Sequence, residues 1–351
     1  MNVSIVVICR NEENNIKTCL DSLLNQEGLN DCYEIIVFDD GSLDNTRDII
    51  NELSLKNSKL RLINGRGKGI PYGRNQGTKA ARYDHVAFID ADCFAPPDWL
   101  ATLVSAFINN KKEDDRLVAV GGGNIPPLNA NRFVKAIGIA LDSFPGSFNS
   151  PQGRRFSRPK RVNHLACLNV LYEKRQLVKI GYFDESLETG GEDAEMNFRL
   201  SGSGAGFQFC PESFVWHQLR STPAEWFRNM FRYGFTRAEI LKRHPRMWHF
   251  NFVLPLIFFS AFTLTLLTPV NPIFGLPFLY FPVIFIFSAF QALSKKSLRL
   301  VFHVWLVFVV QHFGYALGEV TGLAVPLAKK GNKYTGLLPL RYLIDAVTGR
   351  R

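Results

Sequence analysis

From Asn251 to Ser294 the chain has no Asp, Glu, Lys or Arg. One helical membrane span takes about 20 apolar residues, and this run is about twice as long. Thr268-Pro269-Val270-Asn271-Pro272 interrupts it near the middle, so a helical hairpin in a bilayer is expected. A soluble core rarely needs so much uncharged sequence, which disfavours a buried helix pair. A further apolar stretch, Leu300 to Pro326, holds Glu319 as its only Asp, Glu, Lys or Arg. The mean hydropathy of −0.01 therefore averages two unlike halves.

Other features are missing as well. Met1-Asn2-Val3 runs straight into Ser4-Ile5-Val6-Val7-Ile8 with no basic segment ahead, so no secretory signal is expected. The six cysteines (Cys9, Cys19, Cys32, Cys93, Cys167, Cys210) follow no metal-ligand spacing and all precede the apolar part. They read as reduced, mostly buried thiols of a cytoplasmic domain. No internal repeat is evident. A net charge of +10 raises the question of nucleic acid. The basic residues, however, crowd near the apolar segments: Arg228, Arg232, Arg237, Lys242, Arg243 and Arg246, then Lys295, Lys296 and Arg299, then Lys329, Lys330 and Lys333. Attraction to anionic lipid headgroups accounts for them, and no nucleic-acid partner is expected.

In the first half, strand-like and helix-like segments alternate, which predicts an α/β domain with a mostly parallel sheet. The expected strands are Val3–Cys9, Tyr33–Phe38, Leu60–Asn64, His85–Ile89 and Leu117–Val120, with a short one at Ser213–Val215. Ile16, Leu20, Leu23 and Leu24 keep helical spacing between the first two. A helix carrying Ile49, Ile50 and Leu53 follows, with Ser42 or Asp44 suited to cap it. Another begins near Pro97-Asp98-Trp99. Asn124 to Lys160, rich in Pro, Gly, Ser and Arg, reads as an irregular loop or insertion on the acceptor side.

Polar clusters close the strands. The first ends in Cys9-Arg10-Asn11-Glu12-Glu13-Asn14 and the second in Phe38-Asp39-Asp40-Gly41-Ser42. The carboxyl ends of parallel strands are the ligand side of such sheets. The fourth ends in Asp90-Ala91-Asp92, two carboxylates one residue apart that can share a divalent cation. A cation there can neutralise a diphosphate, and a separate carboxylate can act as a base. Gly190-Gly191-Glu192-Asp193-Ala194-Glu195 supplies a second acidic pair. As structural alternatives, Asp39, Asp40 and Asp44 suit turns and caps, and Glu192-Asp193 suits a helix N-terminus. The stretch Gly65 to Gly77 follows a strand and opens a helix, yet it is neither G-x-x-x-x-G-K-[ST] nor G-x-G-x-x-G. Lys68 and Arg74 in it could face a diphosphate or be solvated loop charges.

Taken in order, Arg10-Asn11-Glu12-Glu13, Asp39-Asp40-Gly41-Ser42, Gly73-Arg74-Asn75-Gln76-Gly77, Asp90-Ala91-Asp92 and Gly191-Glu192-Asp193-Ala194-Glu195 resemble family 2 of the nucleotide-sugar glycosyltransferases. Ile180-Gly181-Tyr182-Phe183-Asp184-Glu185 and Arg199-Leu200 extend the likeness over roughly the first two-thirds of the chain. Within the family the likeness is to the membrane-attached, succinoglycan-type sugar transferases. The resemblance implies a GT-A catalytic domain over 1–222. Its donor would be a UDP- or GDP-sugar, its cofactor Mg²⁺ or Mn²⁺, and its reaction inverting. Asp40 and Glu12 would contact the base or ribose, with Arg10 and Asn75 in the same motifs, and Asp90 would approach the ribose and the metal-bound diphosphate. Asp92 would ligate the cation, with Asp90 and His217 completing the set. Asp193 would be the catalytic base, with Glu192 shaping the acceptor site.

Residues 223–250 are expected to form amphipathic interface helices, because Trp226, Phe227, Met230 and Phe231 share a face while Arg228 and Arg232 pair at i, i+4. Asn229-Met230-Phe231-Arg232-Tyr233 stands where processive relatives carry Gln-x-x-Arg-Trp, a departure that puts processivity in doubt. Arg232 could still meet the diphosphate or a lipid phosphate. About three membrane helices are expected over 251–327, then a basic tail over 328–351. Gly314, Gly318 and Gly322 recur every fourth residue, as in close helix packing. Glu319 is expected to meet His312 or His303, or to line a polar cavity. The whole reads as a multi-pass protein of the cell membrane whose catalytic domain faces the cytoplasm. Its acceptor would be a polyprenyl- or otherwise lipid-linked glycan. A polyprenyl-phosphate sugar synthase is the alternative, disfavoured because a phosphate nucleophile needs no base. A catalytically inert scaffold is a third reading, and intact Asp90, Asp92 and Asp193 speak against it.

Overall fold

The computed structural model describes residues 1–29, 32–148, 150–187 and 190–327, so the basic tail over 328–351 lies outside the described residues. In chain order the elements are β1 (Val3–Cys9), α1 (Ile16–Leu24), β2 (Tyr33–Asp39), α2 (Thr46–Lys56), β3 (Leu60–Asn64) and α3 (Ile70–Ala80). Next come β4 (His85–Asp90), β5 (Cys93–Phe94), α4 (Trp99–Glu113), β6 (Leu117–Ile125), α5 (Arg132–Leu141) and α6 (Phe144–Ser147). Then follow β7 (Lys160–Val162), β8 (Val170–Glu173), α7 (Lys174–Lys179), α8 (Glu192–Gly202) and β9 (Gly206–His217). The last helices are α9 (Pro223–Arg243), α10 (Leu254–Leu264), α11 (Tyr280–Ser294) and α12 (Val301–Ala324). They divide into two compact units, one of residues 1–128, 149–188 and 192–218, the other of 129–148, 189–191 and 219 onward.

The first unit is built on a nine-stranded sheet in the order β3-β2-β1-β4-β8-β6-β9-β5, with β7 pairing beside β9. β1 to β4 are mutually parallel, β8 runs antiparallel to β4 and β6, and β9 is parallel to β6. Strand side chains alternate between faces, and the core follows that period. Val3, Ile5 and Val7 pack with Ile16, Leu20 and Leu103 on one face. Val6 packs with Phe88, Phe183, Met196 and Leu200 on the other. Both faces are covered, which explains the unbroken apolar runs of β1 and β2. α3 lies close on the sheet: a methyl on Gly77 would stand 2.4 Å from Val6 Cγ1.

Three expectations change. The short strand at Ser213–Val215 is the end of the twelve-residue β9. The N-cap of α2 is Asn45, not Ser42 or Asp44, although Asp44 Oδ1 accepts from Thr46 N at 3.0 Å. The stretch expected to be irregular contains α5. There Phe133, Val134, Ala136, Ile137 and Ala140 are buried at helical spacing, and Asn131 caps the helix by accepting from Val134 N.

In the second unit α9 opens with a capping box between Thr222 and Glu225 and Pro223 in its first turn. Its buried face includes Trp226, Met230, Phe231, Phe235 and Leu241. Three helical stretches are long and apolar enough to cross a membrane: Phe250–Leu267, Pro272–Ser294 and Leu298–Ala324.

Candidate active site

The site lies in the first unit, at the carboxyl ends of β1, β2 and β4. Asp40 N donates to Cys9 O at 2.9 Å, which fixes the turn after β2. Asp40 is buried, and its two carboxylate oxygens accept from Lys68 N at 2.9 Å and Gly69 N at 2.7 Å. It therefore holds the loop that precedes α3. In that loop Lys68 Nζ sits 4.5 Å from the centre of the Tyr72 ring. Arg10 is exposed, and its guanidinium lies about 3.7–3.9 Å from where a Cβ on Gly67 would stand. Glu12 Oε2 accepts from Asn15 Nδ2 at 2.7 Å, and Glu12 N donates to Thr46 Oγ1 at 2.7 Å.

Two predicted ligand-binding side chains are engaged inside the fold. Asn75 Nδ2 donates to Phe183 O at 3.0 Å and Glu185 Oε1 at 2.9 Å, while its Oδ1 accepts from Phe183 N at 2.9 Å. Arg74 is 5% exposed. Its Nη2 meets Asp90 Oδ1 at 3.0 Å and its Nη1 pairs with Glu192 Oε1. One guanidinium thus joins the end of β4 to the start of α8. Desolvation by burial pushes the Glu192 carboxyl above its usual range; Arg74 opposes this and Asp193 adds to it. Asp90 is raised as well, by burial first and by Asp92 among its neighbours, against the pull of Arg74.

Asp193 follows in the first turn of α8, half-buried, with its Oδ1 accepting from Ala194 N at 2.7 Å. Sequence reading passed over the groups around it. Asn197 Nδ2 bonds Asp193 O at 2.7 Å and lies 3.2 Å from His164 Nδ1, while Tyr172 Oη donates to Asn197 Oδ1 at 2.9 Å. The i, i+4 spacing of Asp193 and Asn197 on a helix was the available signal.

His217 reaches the site through pairing. β5 runs antiparallel to the end of β9 in the register Cys93↔His217 and Phe94↔Trp216. This sets His217 Nε2 3.4 Å from Asp92 Oδ1, both side chains being 12–13% exposed. Asp92, Cys93 and His217 each present a ligand atom, all within 4.8 Å of one another. A carboxylate oxygen and an imidazole nitrogen at that separation suit a hard or borderline dication such as Mg²⁺ or Mn²⁺. Cys93 is the soft member. Burial, then the Asp92 and Asp90 carboxylates, keep it a thiol. Asp90 is not part of this cluster, and its Oδ1 faces Arg74. Arg232 belongs to the second unit, where its Nη2 donates to Asn229 Oδ1 at 2.8 Å.

A strand-end carboxylate pair, a facing histidine and an acidic helix start thus come together on a mostly parallel sheet. The family model described as "Glycosyl transferase family group 2" matches residues 85–293, and that of "Glycosyl transferase family 2" matches residues 4–162. The chain belongs to glycosyltransferase family 2. Chondroitin synthase of Escherichia coli is 28% identical over 246 residues, covering 62% of this chain and 34% of that protein. Hyaluronan synthase of Pasteurella multocida is 28% identical over 243 residues, covering 62% and 24%. A Methanococcus voltae dolichyl N-acetyl-alpha-D-glucosaminyl phosphate 3-beta-D-2,3-diacetamido-2,3-dideoxy-beta-D-glucuronosyltransferase is 24% identical over 256 residues, covering 71% and 78%. The chain thus spans about a quarter to a third of the two synthases and more of the third relative. The fold is the GT-A fold. A Pyrobaculum calidifontis mannosyltransferase, solved in complex with GDP-Man and Mn²⁺, aligns with TM-score 0.55 at 15% identity over 88% of this chain and 86% of its own.

Proposed function

We propose that the protein transfers a sugar, with inversion, from a UDP- or GDP-sugar to a hydroxyl of a polyprenyl- or otherwise lipid-linked glycan. The observation that carries this reading is the bridge through Arg74. It ties Asp90, beside the Asp92–His217 pair, to Glu192, beside Asp193, so that metal-type ligands and a candidate base belong to one site. Asp92 and His217 would hold Mg²⁺ or Mn²⁺, which supplies charge neutralisation for the departing nucleoside diphosphate. Asp193 accepts the proton of the acceptor hydroxyl as the new glycosidic bond forms at the anomeric carbon. Glu192, locked to Arg74, shapes the acceptor side. Arg10, Glu12 and Asp40 line the nucleotide side, where Asp40 acts by holding the Lys68–Gly69 backbone. Relatives named as polysaccharide synthases and a dolichyl-linked glucuronosyltransferase support a glycan acceptor, and the apolar helices support a lipid-borne one.

Thermal-shift titration of the full chain in detergent tests the donor and metal together. A nucleoside diphosphate with Mn²⁺ at 100 times its Kd should stabilise the protein by about 2.7 kcal/mol, and NAD(P) should not. Failure of every nucleoside diphosphate to move the melting temperature would sink the reading.

A further inference from the structure

Arg154, Arg155, Arg158, Lys160 and Arg161 place five positive charges within eight residues, and no Asp or Glu occurs between Asp142 and Glu173. We infer that this loop of the first unit, residues 150–161, binds the phosphate or diphosphate that links the acceptor glycan to its lipid. The site deepens the lipid-linked acceptor proposed above and rests on that reading.

Strand register puts the loop beside the carboxylates. Val170 of β8 pairs with both Phe88 of β4 and Gly121 of β6, so Gly121 stands level with Phe88. Both strands run antiparallel to β8, and continuing along them from these residues sets Asn124 about level with Ala91, between Asp90 and Asp92. Two strand spacings separate them, about 10 Å. Asn124 Nδ2 donates to Gln152 O at 2.5 Å, which holds the start of the loop there. At its end, Lys160 and Arg161 pair with Phe209 and Gln208 of β9, on the edge of β9 away from β6. β5 pairs with Trp216 and His217 along that same edge. The loop therefore crosses β9 close to the strand end that carries His217.

The backbone of the loop is anchored. Gly153 N and Arg154 N both donate to Ser150 O, at 3.2 and 3.0 Å. Phe156 packs against the core and meets Phe209 edge-on with 5.1 Å between ring centres, while Lys160 Nζ stands 4.8 Å from the Phe156 centre. Arg161 is engaged by Asp114 at 2.5 Å. Arg155 and Arg158 are exposed and Arg154 is half-buried. Among the described residues, neither Arg154 nor Arg158 has an acidic partner. Guanidinium groups on an anchored backbone suit a phosphate or diphosphate. Each planar fork donates parallel hydrogen bonds to oxyanions, and little ordering is left to complete on binding.

Position in the sheet selects the acceptor's phosphate over the donor's. Arg10 and Glu12 follow β1 and Asp40 follows β2, on one side of β4, whereas β6 and β9 lie on the other. Across the sheet the order is nucleotide side, then the Asp90–Asp92 turn, then the loop. A molecule that receives the sugar enters from the side the nucleotide leaves open, and a lipid-linked glycan brings its phosphate with it. The same uncompensated charge steers an anionic acceptor toward the site.

The test uses the full chain in non-ionic detergent, with a polyprenyl diphosphate as probe and the matching polyprenol as its uncharged counterpart, each titrated by thermophoresis. The parent should bind the diphosphate at least about tenfold more tightly than the polyprenol. Arg154→Gln/Arg158→Gln should lose about that factor for the diphosphate. The charge-matched control Lys112→Gln/Lys179→Gln, on exposed lysines elsewhere in the unit, should not. A nucleoside diphosphate with Mn²⁺ should raise the melting temperature of parent and loop variant equally. With that shift present, equal affinity of the parent for diphosphate and polyprenol, or an unchanged diphosphate affinity in the loop variant, would overturn this inference alone. Displacement of the probe by excess phosphatidylglycerol would overturn it in favour of bilayer headgroups, and loss of the nucleoside diphosphate shift in the loop variant in favour of the donor. Failure of every nucleoside diphosphate to shift the parent would overturn the transferase reading itself.

Discussion

Arg74 touches two carboxylates on elements far apart in sequence, and Glu192 lies 118 positions beyond it. Removing one member of a buried ion pair typically costs about 3–5 kcal/mol, because the charges left behind have lost their partner. Arg74→Met should therefore lower the unfolding free energy by about that amount, read from the urea midpoint in detergent, and should impair turnover. An unchanged midpoint would mean the bridge contributes little. Asp193→Asn keeps shape but removes basicity, so kcat should fall about 10²–10⁴-fold while donor affinity holds. Glu192→Gln should be milder in kcat. Near-normal turnover by Asp193→Asn beside loss in Glu192→Gln would move the base one residue upstream. The types and order of these residues were legible in the sequence. Which of them face inward was not, because Arg74 and Asn75 are engaged by partners at 192 and 183–185 that no local pattern announces.

At the scale of elements, β1 to β4 were readable because buried parallel strands are continuous apolar runs bounded by polar turns. β5 was not, since two residues carry no periodicity, and yet its pairing with β9 is what sets His217 beside Asp92. α5 was hidden by the Pro, Gly and Ser around it, although Phe133, Ala136, Ile137 and Ala140 keep helical spacing. The glycine repeat of α12 was read correctly as close packing, and its partner is α9. Gly318→Ala would place a methyl 2.0 Å from Phe231 O, so the helices must part. Overpacking of this kind costs about 1–3 kcal/mol, and a lowered melting temperature should show it, with Ala324→Ser on the exposed side as the neutral control. Equal melting temperatures for the two variants would contradict the α9–α12 seam.

At the scale of the whole molecule, net charge and hydropathy each misled when taken alone. The excess of Lys and Arg gathers around the apolar helices, and the near-zero mean hydropathy conceals an uncharged run from Asn251 to Ser294. They belong to a family 2 glycosyltransferase with three stretches long and apolar enough to cross a membrane, and the proposed metal is the part of the account most easily withdrawn. Asp92→Ala should abolish turnover and the Mn²⁺-dependent share of nucleotide binding while the melting temperature without ligand stays near that of the parent. Full activity in EDTA would remove the metal from the account. The most direct measurement is a panel of UDP- and GDP-sugars presented to the purified full chain in lipid with Mn²⁺ or Mg²⁺ and a polyprenyl-linked glycan, following nucleoside diphosphate release and sugar incorporated into lipid. One donor should be consumed in step with lipid glycosylation, and both should stop in Asp193→Asn and in EDTA. Donor-independent background alone, with the folded protein present and nucleotide bound, would contradict it.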